Sequence, residues 1–200
     1  MSKLYFKYGA MGSSKTAQAL MTRFNYMQKG YEVLLIKPML DTRDILDGEI
    51  IVKSRVGISA KCTPFDKDTN LFNLVEDCGF LKDKCVVIVD EAQFCTAEQI
   101  DQLHEVTNYV PVLCYGLLTN FKTKLFEGSQ RLIEVAESIS EIKSVCECGN
   151  KATVNARFIN EELALDGAEI LIGAEETYKS MCYRCYERLK NKKLNSEHEI

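Results

Sequence analysis

Eight residues near the N-terminus constrain this chain more than any others. Gly9-Ala10-Met11-Gly12-Ser13-Ser14-Lys15-Thr16 is a turn rich in glycine and serine. A short apolar run, Leu4 to Tyr8, precedes it, and Ala17, Leu20, Met21, Phe24 and Met27 follow at helical spacing. Gly30 is placed to stop that helix, and Val33-Leu34-Leu35-Ile36 beyond it reads as a second buried strand. Strand, turn, helix, strand is a crossover unit, and crossovers join parallel strands. The expected fold class is therefore α/β, a parallel sheet flanked by helices.

The turn itself has a chemistry. Gly9, Gly12 and the Ser13-Ser14 pair leave room for backbone N–H groups to surround an anion, at the mouth of a helix whose dipole favours negative charge. The octet fits three of the four defining positions of a Walker A phosphate loop. Lys15 would neutralise the β- and γ-phosphates of a nucleotide, and Thr16 would ligate Mg²⁺. Ser14 stands where such loops carry glycine. A non-glycine residue held there at positive φ costs about 1–2 kcal/mol. The bland alternative is an ordinary strand–helix turn.

Val86-Val87-Ile88-Val89 is an uninterrupted β-branched run, the mark of a strand buried on both faces, and it ends in Asp90-Glu91. Ligands of open α/β sheets bind at that edge. An aspartate there can help to hold Mg²⁺, and the adjacent glutamate can take a proton from an alcohol or from water. Gln93 and Phe94 lie beside the same edge; Phe94 is either core or a base-stacking ring.

Elsewhere the pattern predicts a loop or hairpin over 41–60, a helix over 70–77, and a capping box at Thr96 and Gln99 opening a helix to about Thr107. It further predicts a strand over 110–115, a loop over 116–126 and a helix over 130–138. Composition changes near Ile142. Of nine cysteines, Cys62, Cys78, Cys85, Cys95 and Cys114 are scattered, whereas Cys146-x-Cys148 and Cys182-x-x-Cys185 form two close pairs. Four thiolates suit tetrahedral structural zinc; a redox pair or buried free thiols are the alternatives. No histidine lies among them, since His104 falls in a predicted helix and His198 in the tail. The expected organisation is a nucleotide-binding domain over 1–141, a zinc-bound lobe over 142–190 and a frayed polar tail over 191–200.

At 200 residues, 46% hydrophobic and 27% charged, the chain can bury a sizeable core. A net charge of -4 disfavours wrapping a nucleic-acid polymer. The absence of a long apolar run or a secretory leader predicts a cytoplasmic protein with no membrane span.

These residues together resemble the zinc-containing, phosphate-loop class of thymidine kinases, over nearly the whole chain. The matching pieces include Tyr8-Gly9-Ala10-Met11, Asp41-x-Arg43, Ser54-Arg55-Val56-Gly57, Asp90-Glu91-Ala92-Gln93-Phe94, Leu125-Phe126-x-Gly128-Ser129-Gln130 and both cysteine pairs. The resemblance implies transfer of the γ-phosphate of ATP to the 5′-hydroxyl of thymidine, with Mg²⁺ and structural Zn²⁺. It makes Glu91 the general base and Gly9 to Thr16, with Asp90 and Gln93, the ATP site. Asp41 and Arg43 would support the metal and phosphate charge. Met11, Phe94, Leu117, Phe121 and Phe126 would line the nucleoside pocket. A base-closing loop, about Phe158 to Gly173, would include Ile170-Leu171-Ile172-Gly173, with Tyr178 as its anchor. Cys146, Cys148, Cys182 and Cys185 would be the zinc ligands. A homotetramer with feedback by thymidine triphosphate is also implied. Leu118 and Asn120 depart from the Arg and Asp usual in bacterial relatives, as Ser14 departs from glycine. A phosphate-loop ATPase, or a degenerate nucleotide-binding protein, is the alternative.

Overall fold

The computed structural model describes residues 3–39, 45–46, 49–167 and 176–197. The predicted crossover unit is present: β1 (Leu4–Tyr8), α1 (Lys15–Gln28) and β2 (Glu32–Pro38), with Gly30 at φ 79° ending the helix. Two short antiparallel hairpin strands pairs follow from β3 (Ile45–Leu46), β4 (Glu49–Lys53) and β5 (Ser59–Lys61). Next come β6 (Thr63–Phe65), α2 (Leu71–Asp77) and β7 (Cys85–Val89). A single 3-10 turn (Ala92–Phe94) leads to α3 (Ala97–Val106), β8 (Val112–Gly116), α4 (Glu127–Val135) and β9 (Ser138–Glu141). The C-terminal lobe holds β10 (Val154–Ile159), β11 (Glu162–Leu163), β12 (Glu176–Met181) and α5 (Tyr183–Glu197).

The main sheet has six parallel strands in the order β6-β2-β7-β8-β1-β9. Strand β7 shows why it is central. Cys85, Val87 and Val89 face one layer, with Leu71 and Val75 of α2, Ile100 and Leu103 of α3 and Leu132 of α4. Val86 and Ile88 face the other, with Ala19 and Leu20 of α1 and Val52 of β4. Alternate residues therefore bury on opposite faces, and every residue of the strand is apolar. The Thr96–Gln99 capping box forms, with each side chain accepting the other residue's backbone N–H at 3.1 Å. Asn70 caps α2 by accepting from the Asn73 N–H at 2.9 Å.

Four elements differ from the sequence reading. Helix α4 runs over Glu127–Val135, three residues earlier than expected, because Ser138–Glu141 is drawn out as edge strand β9 against β1. The opposite edge, β6, was hidden in a polar segment. Helix α1 buries Ala17, Ala19 and Leu20, whereas Met21, Phe24 and Met27 of the apolar repeat are 58%, 59% and 46% exposed. The small side chains let the helix approach the sheet closely and turn the bulky ones outward. Finally, α5 carries regular structure through Glu197, into the stretch expected to fray. None of the described helices is long and apolar enough to cross a membrane.

Candidate functional site

The turn after β1 is built around its backbone. Gly12 has φ 75°, and Ser14, at φ 64° and ψ 25°, sits in the left-handed region just before α1. Its side chain makes no cap hydrogen bond, so the strain expected of a non-glycine residue there is not offset locally. Gly9 is required for another reason: a Cβ there would lie 2.4 Å from the Ile142 carbonyl oxygen. We expect Ser14→Gly to stabilise the fold. It removes about 1–2 kcal/mol of left-handed strain but gives the unfolded chain about 0.4–1 kcal/mol of added entropy. The net gain is about 0–1.6 kcal/mol, and each 1 kcal/mol raises Tm by about 2–4 °C for a chain of this size. Thermal melts of the two proteins check this; a lower Tm for the glycine variant would show that the hydroxyl contributes more than the strain costs.

Lys15 is buried at 8% exposure, and its Nζ donates to the carbonyls of Gly9 at 3.1 Å and Ala10 at 2.9 Å. Burial lowers its pKa, while Glu91 and Asp90 oppose that fall. Thr16 Oγ1 donates to Asp90 Oδ1 across 3.4 Å, joining the start of α1 to the end of β7. Asp90 is 4% exposed. Burial, assisted by the neighbouring Glu91 charge, pushes its carboxyl up to about 7 against the pull of the Thr16 hydroxyl. A hydroxyl and a carboxylate at this separation are an oxygen pair of the kind Mg²⁺ takes from a protein when nucleotide phosphates supply the rest.

Glu91 is also left-handed, at φ 55° and ψ 36°, and opens the 3-10 turn. A non-glycine residue there costs about 1–3 kcal/mol, a strain that gathers at functional positions. The half-buried carboxylate is oriented by Gln93, whose Nε2 donates to Glu91 Oε2 while its Oε1 accepts from the Leu117 N–H at 2.9 Å. Gln93 is 2% exposed and leaves no room for a side chain at Gly116, where a Cβ would meet Gln93 Oε1 at 2.7 Å.

One cavity of about 220 Å³ is lined by residues that include Met11, Lys15, Thr16, Arg55, Glu91 and Leu117. The phosphate-loop residues and the acidic strand end, far apart in sequence, thus open on the same space. Arg55 comes from the β4–β5 turn, held by Ser54 N–H and Oγ on the Ile58 carbonyl at 2.9 and 3.0 Å. Its Nη1 lies 3.9 Å from where a Gly12 Cβ would be. The motif Ser54-Arg55-Val56-Gly57 was visible in the sequence, but only the fold brings its cation to the cradle.

Of the expected pocket residues, Met11 and Leu117 line this cavity, whereas Phe94, Phe121 and Phe126 are not part of its lining. Phe94 packs edge-on against Phe126 with ring centroids 5.5 Å apart, and the Arg157 guanidinium sits 3.6 Å above the Phe121 ring. Tyr178, half-buried on β12, pairs in register with Arg157 on β10. Asn120, where an aspartate was expected, accepts from the Lys122 and Lys124 N–H groups at 3.0 and 3.1 Å, a task its amide oxygen performs as well as a carboxylate would. Asp41, Arg43, Ile170, Leu171, Ile172 and Gly173 lie outside the described residues.

In the lobe, the Sγ atoms of Cys146, Cys148, Cys182 and Cys185 all lie within 4.8 Å of one another, with Cys148 and Cys182 at 3.6 Å. Zinc–sulfur bonds of about 2.3 Å in a tetrahedron imply sulfur–sulfur edges of about 3.8 Å, so the four fit the ion. The tight Cys146-x-Cys148 spacing is accommodated by a turn with Gly149 at φ 86° and the Cys146 N–H on the Asn150 carbonyl at 2.8 Å. Hydrogen bonds from the Asn150 backbone and side chain hold the Cys148 thiol down to about 6, which favours the thiolate.

Comparison with known proteins agrees with this geometry. A family model described as thymidine kinase matches residues 2–186. The thymidine kinase of Legionella pneumophila (strain Lens) is 41% identical over 192 residues, covering 94% of this chain and 90% of that protein. The thymidine kinase of Enterobacteria phage T4 is 40% identical over 195 residues, covering 96% and 99%. That of Zymomonas mobilis is 37% identical over 199 residues, covering 98% and 100%. With its phosphate loop, its acidic strand end and its four-cysteine cluster in one chain, this protein belongs to the thymidine kinase family.

Proposed function

We infer that this chain transfers the γ-phosphate of ATP to the 5′-hydroxyl of thymidine, giving thymidine monophosphate in nucleotide salvage. The observation that carries the reading is the shared cavity, with Lys15 and Thr16 on one wall and Glu91 on another. Phosphoryl transfer needs alignment and charge neutralisation more than covalent chemistry. The Lys15 ammonium, with three protons to donate, contacts the phosphates, and Arg55 adds positive charge beside Gly12. Thr16 and Asp90 would hold Mg²⁺, which when bound neutralises charge on the β- and γ-phosphates. Glu91, fixed by Gln93, takes the proton of the attacking alcohol. Phe94, Phe121, Phe126, Met11 and Leu117 enclose the nucleoside, with Tyr178, Asp41, Arg43 and residues 170–173 completing the site as the family resemblance implies. Cys146, Cys148, Cys182 and Cys185 would bind zinc to stabilise the lobe and take no part in the transfer. The resemblance also supports a division into a nucleotide-binding domain and a zinc lobe near residue 142, a cytoplasmic location, a homotetramer and inhibition by thymidine triphosphate.

The test is a nucleoside panel with ATP and Mg²⁺, scored for 5′-monophosphate. We expect thymidine to be phosphorylated in preference to cytidine and purine nucleosides. ATP hydrolysis indifferent to thymidine, with no monophosphate formed, would replace this reading with an ATPase.

A further inference from the structure

Strand β10 looks amphipathic in sequence. Val154 and Ala156 are apolar, Asn155 and Arg157 polar, and the alternation predicts one face toward a core and one toward water. The structure buries both. Val154 and Ala156 enter the lobe's own core with Met181, Cys182 and Tyr186. Asn155 and Arg157 are 3% and 0% exposed, because their face is pressed against the nucleotide-binding domain.

Asn155 spends its amide on two backbone groups of that domain. Its Oδ1 accepts the Met11 N–H at 2.7 Å, and its Nδ2 donates to the Thr119 carbonyl at 2.9 Å. An N–H on one side and a carbonyl on the other allow only this orientation of the amide. The Ala10–Met11 peptide is thereby gripped at both ends. Its carbonyl takes the Lys15 ammonium at 2.9 Å, and its N–H takes Asn155. The Ala10 side chain is meanwhile packed into the lobe core beside Cys146 and Cys182. A phosphate would compete for the Lys15 ammonium, whose third proton has only a 3.5 Å contact to Ser13 Oγ, whereas the Asn155 bond to the same peptide is left in place.

We propose that Asn155 is a positioning residue: it fixes the Ala10–Met11 peptide of the phosphate loop, and through Thr119 the segment after β8, so that the zinc lobe and the ATP cradle keep one geometry when a phosphate engages Lys15. The inference rests on the kinase reading but is tested separately from it. Positional error near 1 Å costs about 10²-fold in rate, so losing this grip is a catalytic matter rather than only a stability one.

The experiment uses the full-length, zinc-loaded enzyme and its Asn155→Ala variant, assayed well below the melting temperature of both. We expect the variant to keep its zinc and its circular dichroism spectrum while kcat/KM for ATP falls roughly 10- to 100-fold and the Kd for MgATP without thymidine rises in step. A lower Tm with unchanged kcat/KM and Kd would make Asn155 merely structural and overturn the proposal. Should the variant fail to fold, the wild-type protein still decides. The Met11 amide, in a turn outside the helix ladder, should be protected from hydrogen exchange in the nucleotide-free state; fast exchange there would overturn the latch. Wild-type formation of thymidine monophosphate, measured in parallel, judges the kinase reading by itself, since Met11 protection and MgATP affinity do not depend on which alcohol is phosphorylated.

Discussion

Glu91→Gln should reduce turnover by about 10²- to 10⁴-fold, the range for losing a general base. The substitution isolates the proton-accepting role. Glutamine has the same length and volume, and its Oε1 can still accept the Gln93 amide that holds Glu91 Oε2. The left-handed backbone at φ 55° is no harder for glutamine than for glutamate, so the 3-10 turn and the Asp90 position should survive. Neither Lys15 nor Thr16 loses a hydrogen-bond partner. The loss should therefore fall on kcat, with the Kd for MgATP and the zinc content unchanged. Single-turnover kinetics at saturating thymidine separate chemistry from binding. A variant with near-normal single-turnover rate would remove Glu91 from the chemistry and leave Asp90 as the carboxylate to examine.

How much of this was legible in the sequence depended on how local the physics was. Strand β7 was legible because burial on both faces demands an unbroken apolar run, and Cys85–Val89 is one. The α3 cap was legible because both of its partners lie within four residues. The phosphate loop, the acidic strand end and the cysteine pairs were legible because each chemistry requires its residues close together in sequence. Edge strands β6 and β9 were not. Thr63-Pro64-Phe65 and Ser138-Ile139-Ser140-Glu141 carry weak patterns and are drawn out by the backbones of β2 and β1. Arg55 and Asn155 were not legible as site residues either. Asn155 meets Met11 across 144 positions, and its polar-apolar alternation points to a solvent-facing strand unless the turn after β1 that packs against it is already in view. The burial that makes it informative is itself a tertiary fact.

Removing the clustered cysteines should abolish both the lobe and nucleoside phosphorylation, although no cysteine lines the cavity proposed for the chemistry. The apparent binding free energy of structural zinc in small domains is about 10–16 kcal/mol at neutral pH. The stability of a whole domain is only about 5–15 kcal/mol, so a lobe built on this cluster should not persist without it. Cys146 and Cys182 are also core residues, packed with Val154, Met181 and Tyr186, and Ala10 of the phosphate loop belongs to the same cluster. Losing the lobe therefore strips the loop of the packing under Ala10 and of the Asn155 bond to Met11 together. We expect Cys182→Ser, or exhaustive chelation of the wild type, to lower bound zinc below stoichiometry, disorder β10 to β12, and weaken MgATP binding along with turnover. Cys78→Ser is the control: this exposed thiol lies outside the cluster, and its loss should leave zinc, fold and rate unchanged. Zinc analysis, amide exchange over 154–163 and 176–181, and turnover read the three effects. A metal-free protein that keeps the lobe protected and turns over at the wild-type rate would show that packing alone holds it, and would break the link from cluster to cradle.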